Sequence, residues 1–410
     1  FMNILLINHY AGYPNLGMEY RPYYLSKEWV RMGHQVRVLA ANYSHLRIKQ
    51  PLDSFSVIDG IHYRWISAGR YSGNGAKRVC SMFCFVLKLR LYFRNYLDGF
   101  IPDLVIASST YPLDIYPAHK IAQYYHAKLI YEVHDLWPLS PIEIGGYSKY
   151  HPFIALLQKA ENDAYKFSDK VISLLPNACS HMVSHGMDAN KFVYIPNGYD
   201  PEEWTSQCDL SPLHMQFISE LKNKGKKVIG YAGGHAKSNA LDYLLEAMKI
   251  VFDKNQNIVC LLVGNGQEKG RLVERVQKEG IKNIYFLDPV PKKKIPELLN
   301  QMDVLYIGWE KNPLYRFGIS PNKLIDYMMS QKPILHSVCA ANDWVKEADC
   351  GITVNAESPQ EIAAGIIEIF SFSDVELINK GGRGRKFAEE NLSYPFLAKK
   401  FIEECINNRV

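Results

Sequence analysis

Phe317-Gly318-Ile319-Ser320-Pro321-Asn322-Lys323-Leu324-Ile325-Asp326 follows a run, Val304-Leu305-Tyr306-Ile307-Gly308-Trp309, with the composition of a buried strand. Ser320 and Pro321 predict the N-cap and first residue of a helix reaching about Gln331. Strand, glycine loop and helix N-terminus in that order present free backbone N–H groups and a dipole suited to an anion. Lys323 adds a full positive charge, and Asp326, three residues on, shares its helix face. Phosphate would go to the N–H groups and Lys323, while a carboxylate one turn deeper accepts from two ribose hydroxyls. An ordinary capped helix carries the same local signature, so the surrounding chain has to decide.

Working outward, Val304–Gly308 is one of six strands expected in the second half. The others are Val228–Ala232, Ile258–Gly264, Ile284–Leu287, Pro333–His336 and Ile352–Val354, with helical patterns such as Leu241–Asp253 and Lys269–Glu279 between them. The first half has the same alternation. Met2–Asn8, a loop with Gly12 and Gly17, a helix from Tyr20 to Met32 and the strand Gln35–Ala41 open a parallel sheet. Leu104–Ala107, Lys128–His134, Lys170–Leu175 and Val193–Pro196 continue it. The first loop is not G-x-G-x-x-G, which removes the best support for a nicotinamide cofactor.

The expected fold is therefore α/β, with two Rossmann-like doubly wound domains facing across a cleft. The first spans residues 1–200 and the second 201–393, with a polar linker and short helix from Tyr199 to about Lys226 and a C-terminal helix, 394–410, returning to the first domain. The composition is that of a globular protein, with 47% hydrophobic and 22% charged residues. A formal charge of +5 is too mild to imply nucleic acid. Eight scattered cysteines, with no C-x-x-C pair, fit reduced thiols better than a disulfide frame or zinc site, and Cys80 and Cys84 read as packing residues. No signal peptide precedes the first strand and no apolar run approaches a membrane span, so a cytoplasmic protein is expected.

Four loops of the second domain are candidates for binding. Gly233 and Gly234 allow close backbone approach to phosphate, with Lys237 as a possible counter-charge. Gly264-Asn265-Gly266 follows the next strand, and Pro289-Val290-Pro291 offers backbone groups to the edge of a base. The fourth loop is the opening stretch, where Arg316, Gly318, Ile319, Ser320 and Asn322 join Lys323 and Asp326. In the first domain His134 and Asp135 end a buried-type strand. Ala76–Phe100 interleaves Lys77, Arg78, Lys88, Arg90 and Arg94 with apolar and aromatic residues, which describes either a packed helix with snorkelling ends or an anionic membrane contact. His181 and His185 lack the Glu of a zincin motif and read as a surface pair.

Taken in order, the Gly-loop start, Ile195-Pro196-Asn197-Gly198-Tyr199-Asp200, Leu262-Val263-Gly264-Asn265-Gly266 and Ser320-Pro321-Asn322-Lys323-Leu324-Ile325-Asp326-Tyr327-Met328 resemble the retaining family 4 glycosyltransferases of GT-B architecture over essentially the whole chain. Tyr131-Glu132-Val133-His134-Asp135-Leu136-Trp137-Pro138 adds a likeness to the bacterial surface-polysaccharide subgroup of N-acetyl-L-fucosamine transferases. The resemblance implies transfer of a hexosyl or N-acetylhexosaminyl group, of N-acetylated or deoxy type, from a nucleotide sugar, usually UDP-linked. It also implies retention at the anomeric carbon and no obligatory metal, and the chain has no D-x-D pair. No cofactor beyond the nucleotide sugar is expected. The implied acceptor is a lipid-linked glycan, reached from the cytoplasmic face of the plasma membrane.

The resemblance also assigns roles. His134 falls where the family places a histidine that contacts the donor sugar, and Asp135 would orient it or the acceptor hydroxyl. The family's acidic pair would begin at Gly318 and end at Asp326, so its first acid is absent and sugar recognition there falls to backbone groups. The usual Arg and Lys would fall near Gly233 and Asn239, which shifts weight from Lys237 to Lys323; Arg316 is either a compensating cation or a solvated loop charge. Lys323 is then the catalytic cation, beside His134 and Asp135. Gly17, in the first loop, is a further donor contact. A UDP-sugar 2-epimerase of the same architecture, or a non-enzymatic two-lobed binding protein, would share much of this pattern.

Overall fold

The computed structural model describes residues 1–17, 20–205 and 208–406. The chain folds as two units, one comprising residues up to Asn197 together with the helix Tyr394–Ile406, the other Gly198–Ser393. Positions 407–410 of the expected C-terminal helix lie outside the described residues.

The first unit is built on eight strands: β1 (Asn3–Ile7), β2 (Gln35–Ala41), β3 (Phe55–Ile58), β4 (Ile61–Ile66), β5 (Leu104–Ala107), β6 (Lys128–Val133), β7 (Lys170–Ser173) and β8 (Phe192–Tyr194). Their order is β3-β4-β2-β1-β5-β6-β7-β8, parallel except for β3. The β3–β4 hairpin was not expected from the hydrophobic pattern. Asp59 and Gly60, with φ of 51° and 78°, form its two-residue turn, and Asp-Gly was the available signal. Near-continuous apolar strands such as Leu104–Ala107, buried at every position, reflect a sheet covered on both faces.

One face is closed by the helix Tyr20–Arg31 and the returning helix Tyr394–Ile406. Trp29 is fully buried, donates to the Ala398 carbonyl at 3.1 Å and meets Phe401 edge-on at 5.1 Å; Tyr24 stacks on Tyr394 at 5.0 Å. The expected helix from Ala76 stops at Leu97 and bends at Tyr92, whose φ is −118°. Ser81, Met82, Phe85, Val86, Leu89, Phe93 and Leu97 pack inward, so one face is an ordinary packed helix, while Leu87 and Leu91 are 53% and 64% exposed.

The second unit holds six parallel strands, β9 (Lys227–Ala232), β10 (Ile258–Val263), β11 (Ile284–Leu287), β12 (Val304–Gly308), β13 (Ile334–Ser337) and β14 (Gly351–Val354). Their order is β11-β10-β9-β12-β13-β14. The chain reverses its winding between β9 and β12, and at such a switch point open α/β sheets hold ligands beyond the strand C-termini. The stretch from Phe317 to Asp326 follows β12, on that edge. The two segments joining the units run side by side, Tyr199 bridging Ser393 in parallel and its N–H donating to the Leu392 carbonyl at 2.9 Å. Among the described residues no helix is long and apolar enough to cross a membrane.

Candidate functional site

The helix after β12 runs from Asn322 to Met329, shorter at both ends than expected. Pro321 is extended (φ −83°, ψ 123°) and occupies the capping position itself, so Ser320 lies one residue outside it. Gln331, with φ of 59°, turns the chain out of the helix at its other end. The first-turn N–H groups of Asn322, Lys323 and Leu324 have no intrahelical carbonyl to meet.

Lys323 reaches back beneath β9. Its Nζ donates to the Tyr231 hydroxyl at 2.6 Å and to Asn239 Oδ1 at 2.9 Å, and lies 4.2 Å from the centre of the Tyr231 ring. Both neighbours are neutral and no carboxylate pairs with it among the described residues. Burial lowers its pKa to about 7. A Cβ at Gly233 would fall 2.4 Å from Lys323 Cε, so the glycine makes room for the lysine as well as for a ligand. Asn239, where the family's lysine would fall, instead holds Lys323, and neither it nor Tyr231 was singled out from the sequence. Lys237 is exposed on the following turn and makes no ion pair among the described residues.

Asp326 is half-buried on the same helix. No hydrogen bond reaches its carboxylate among the described residues, and burial raises its pKa to about 7, with Lys292 pulling it down and Glu203 up. An acceptor-only group left without donors is suited to a pair of ligand hydroxyls.

Gly264 and Gly266 let two loops pack backbone to backbone. A Cβ on Gly264 would lie 1.9 Å from the Gly233 carbonyl oxygen, and one on Gly266 2.5 Å from that of His235. The His235 N–H donates to the Asn265 carbonyl at 2.9 Å. Its ring is fully buried with neither nitrogen hydrogen-bonded among the described residues, and burial, then the Lys269 charge, lower its pKa to about 4. Lys269, also missed, ties β10 to β11 through the carbonyls of Gly264 at 2.8 Å and Leu287 at 3.2 Å. In the next loop the Pro291 carbonyl takes the Lys294 N–H, so it is less available to a base than expected, while the backbone of Val290 stays open among the described residues.

The loop before the helix departs most from expectation. The Gly318 N–H goes to the Tyr315 carbonyl at 3.0 Å. Asn342 takes both groups of Ile319, accepting from its N–H at 2.7 Å and donating to its carbonyl at 3.0 Å. These backbone groups hold the loop together and are not free for sugar hydroxyls; the open donors are those of the helix first turn. Arg316 donates to the Pro313 carbonyl at 2.6 Å, with its guanidinium 4.4 Å from the Phe317 ring centre.

On the first unit, His134 is 16% exposed at the end of β6, its Nε2 2.9 Å from Glu132 and 2.8 Å from the Ser108 hydroxyl. Glu132 also pairs with buried Arg21 at 3.1 Å. Burial would push its carboxyl up, but Arg21 and the His134 hydrogen bond overcome this and hold it well below the usual range. Asp135 does not orient His134. Its carboxylate accepts from the Leu136 N–H at 2.8 Å and the Ser140 hydroxyl at 2.6 Å, and Glu132 takes the expected orienting place. Spacing hid this, since Glu132 sits inside an apolar strand. Gly17 closes the turn Pro14–Leu16 with φ of 81°, and a Cβ there would strike Ile48 at 2.8 Å. His181 and His185 are joined by Glu161, with ligand atoms within 4.8 Å of one another. Glu161 there accepts from Tyr165 at 2.7 Å and lies 3.1 Å from His181.

Two family models match this chain, "Glycosyltransferase Family 4" over residues 17–203 and "Glycosyl transferases group 1" over residues 226–371. Fold and matches together make it a glycosyltransferase of the two-domain GT-B superfamily. Among curated relatives it is similar to WcaI of Escherichia coli K12, named for glycosyl transfer in colanic acid biosynthesis, at 20% identity over 403 residues, 92% of this chain and 93% of the relative. Among solved structures it is similar in fold to sucrose-phosphate synthase from Thermosynechococcus elongatus (TM-score 0.72, 15% identity, 98% of each chain). A second is Anabaena HepE in complex with UDP and glucose (TM-score 0.66, 18% identity, 98% of this chain and 99% of that one).

Proposed function

We propose that the protein transfers a sugar, with retention, from a UDP-linked donor to a lipid-linked glycan in bacterial surface polysaccharide assembly. The observation that carries the donor half is the pairing of Lys323, a cation without an acid on the first turn of the switch-point helix, and Asp326, a carboxylate without a donor three residues further on, both among the described residues. Diphosphate on Lys323 and the free first-turn N–H groups, with the ribose diol on Asp326, would satisfy both. As the bond to the leaving diphosphate breaks, negative charge grows where the lysine and the helix dipole lie, so the same groups favour the transition state over the ground state. His134, with Glu132 behind it, is the group assigned to the reacting sugar. Since lysine and helix do electrostatically what a cation does elsewhere, turnover is expected to survive EDTA.

The relatives support this reading through what their names record: colanic acid biosynthesis for one, UDP and glucose for another. An N-acetylated or deoxy sugar, and kinship with the fucosamine transferases, follow from the resemblance around His134. A place at the cytoplasmic membrane surface is supported by the outer face of the helix Ala76–Leu97, where exposed Leu87 and Leu91 stand beside Arg90 and Arg94. Each basic residue near anionic lipid contributes about 1 kcal/mol. Lys88 is not part of that face, because its Nζ is held by the Ser67 carbonyl at 2.7 Å.

A panel of UDP-, GDP- and dTDP-sugars, scored by thermal shift and calorimetry, tests the proposal. UDP-sugars are expected to stabilise the protein, and Lys323→Ala to depress turnover at saturation more than donor affinity. Donor conversion at full rate without any acceptor would instead identify an epimerase.

A further inference from the structure

Arg78, in the first turn of the helix Ala76–Leu97, has only neutral partners. It donates to Asn74 Oδ1 at 2.5 Å and to the Tyr10 hydroxyl at 3.3 Å, and its guanidinium lies 5.4 Å and 6.0 Å from the ring centres of Tyr10 and Trp137. No carboxylate pairs with it among the described residues. It lines a pocket of about 670 Å³ within the first unit, walled by Val79, Met82, Phe83, Trp137, Ile144 and Phe153. Asp135 is the acid among the described lining residues, and the Leu136 N–H and Ser140 hydroxyl already occupy it. Ile144, on the rim, is 61% exposed. The positive field also acts inward, since burial and then the Arg78 charge depress the pKa of His45.

An apolar chamber with a single uncompensated guanidinium is mismatched to water, to a free sugar and to a neutral lipid. It matches an amphiphile whose hydrocarbon lies against the walls and whose phosphate takes the guanidinium in a charge-assisted pair. Its volume is in the range of pockets that enclose most of a small ligand. We infer that this pocket binds the phosphate end of an isoprenoid-type lipid phosphate, with the first isoprene units against Met82, Phe83 and Ile144 and the phosphate on Arg78. This rests on the glycosyltransferase reading for its purpose, since it makes the pocket the holder of the acceptor's lipid anchor, but not for its geometry.

The test uses the full-length protein and three probes below their aggregation concentrations, farnesyl phosphate, farnesol and inorganic pyrophosphate, titrated by calorimetry. Saturable binding of farnesyl phosphate, at least tenfold tighter than either fragment, is expected. Arg78→Ala should weaken farnesyl phosphate at least tenfold and leave farnesol unchanged. Ile144→Asp, at an exposed position where folding is not at stake, should weaken both isoprenoids. Equal binding of pyrophosphate would mean a free-phosphate site, and equal binding of farnesol an unspecific apolar pocket; either overturns the inference, as does Arg78→Ala without effect. UDP is titrated into the same samples. Intact UDP binding with no farnesyl phosphate binding ends the lipid site and leaves the glycosyltransferase standing, whereas lipid binding without any nucleotide binding does the reverse.

Discussion

Lys323 and Asp326 carry opposite burial penalties on one helix turn, and that fixes how donor binding moves protons. With the Lys323 pKa lowered to about 7, the free protein at pH 8 holds this amine largely neutral; a bound diphosphate restores its charge. UDP binding at pH 8 should therefore take up protons. Asp326, raised to about 7, is largely protonated at pH 6, and accepting two hydroxyls favours its ionised form, so binding at pH 6 should release protons. Calorimetry in buffers of different ionisation enthalpy reads both signs, and Lys323→Met should abolish the uptake alone. For stability the lysine penalty is full below pH 7 and relieved as pH rises towards 10.5, while the aspartate penalty is absent below 3.8 and grows up to 7. Asn342 acts through the loop it clamps. Asn342→Ala removes two hydrogen bonds worth about 1 kcal/mol each, and should raise KM for the sugar nucleotide about tenfold with a smaller change in UDP affinity. A matching loss of UDP affinity would make it a general support of the fold. Lys323 and Asp326 were legible because a three-residue spacing fixes their shared face. Asn342 was not, because it lies 23 residues from its partner and an asparagine after a strand reads as a turn.

Glycines at the strand ends look alike in sequence and differ in what surrounds them. Gly264→Ala would put a methyl 1.9 Å from a backbone oxygen that cannot move without separating the two loops, a cost of about 1–3 kcal/mol as overpacking and more with its φ of 148°. A Cβ at Gly234 meets nothing within 4 Å, so Gly234→Ala should leave the urea midpoint unchanged. Comparable destabilisation by both would show that the loops do not pack as described. The strands themselves were largely legible, because buried parallel strands are short apolar runs between turn residues; Gln35–Ala41, Leu104–Ala107, Ile284–Leu287 and Val304–Gly308 match to the residue. The β3–β4 hairpin escaped because Phe55–Ile58 is half exposed and lacks a buried apolar run. The cap was misplaced for a different reason. Ser-Pro permits either helix entry at proline or one more extended residue, and the choice falls to Gly318, with its φ of 100°, and to the clamp on Ile319.

At the scale of the molecule, the first unit is discontinuous and the second is not. Trp29, Tyr24 and their neighbours are covered by a helix that begins at Tyr394, so a fragment ending at Asn197 leaves that face open. The fragment should show no cooperative urea transition, whereas Gly198–Ser393, with its own two-sided core, should unfold cooperatively and still bind UDP. Failure of the second fragment to fold would show that the units are not separately stable. The same arrangement has a consequence for the growing polypeptide. At about 5–20 residues per second, the ribosome needs roughly 10–40 s to move from Asn197 to Tyr394. Throughout that interval the indole of Trp29 and the rings beside it wait without their cover, while the later half of the chain completes its own core. The part of the protein that is made first is therefore finished last, and its half-built sheet is the surface a chaperone would meet.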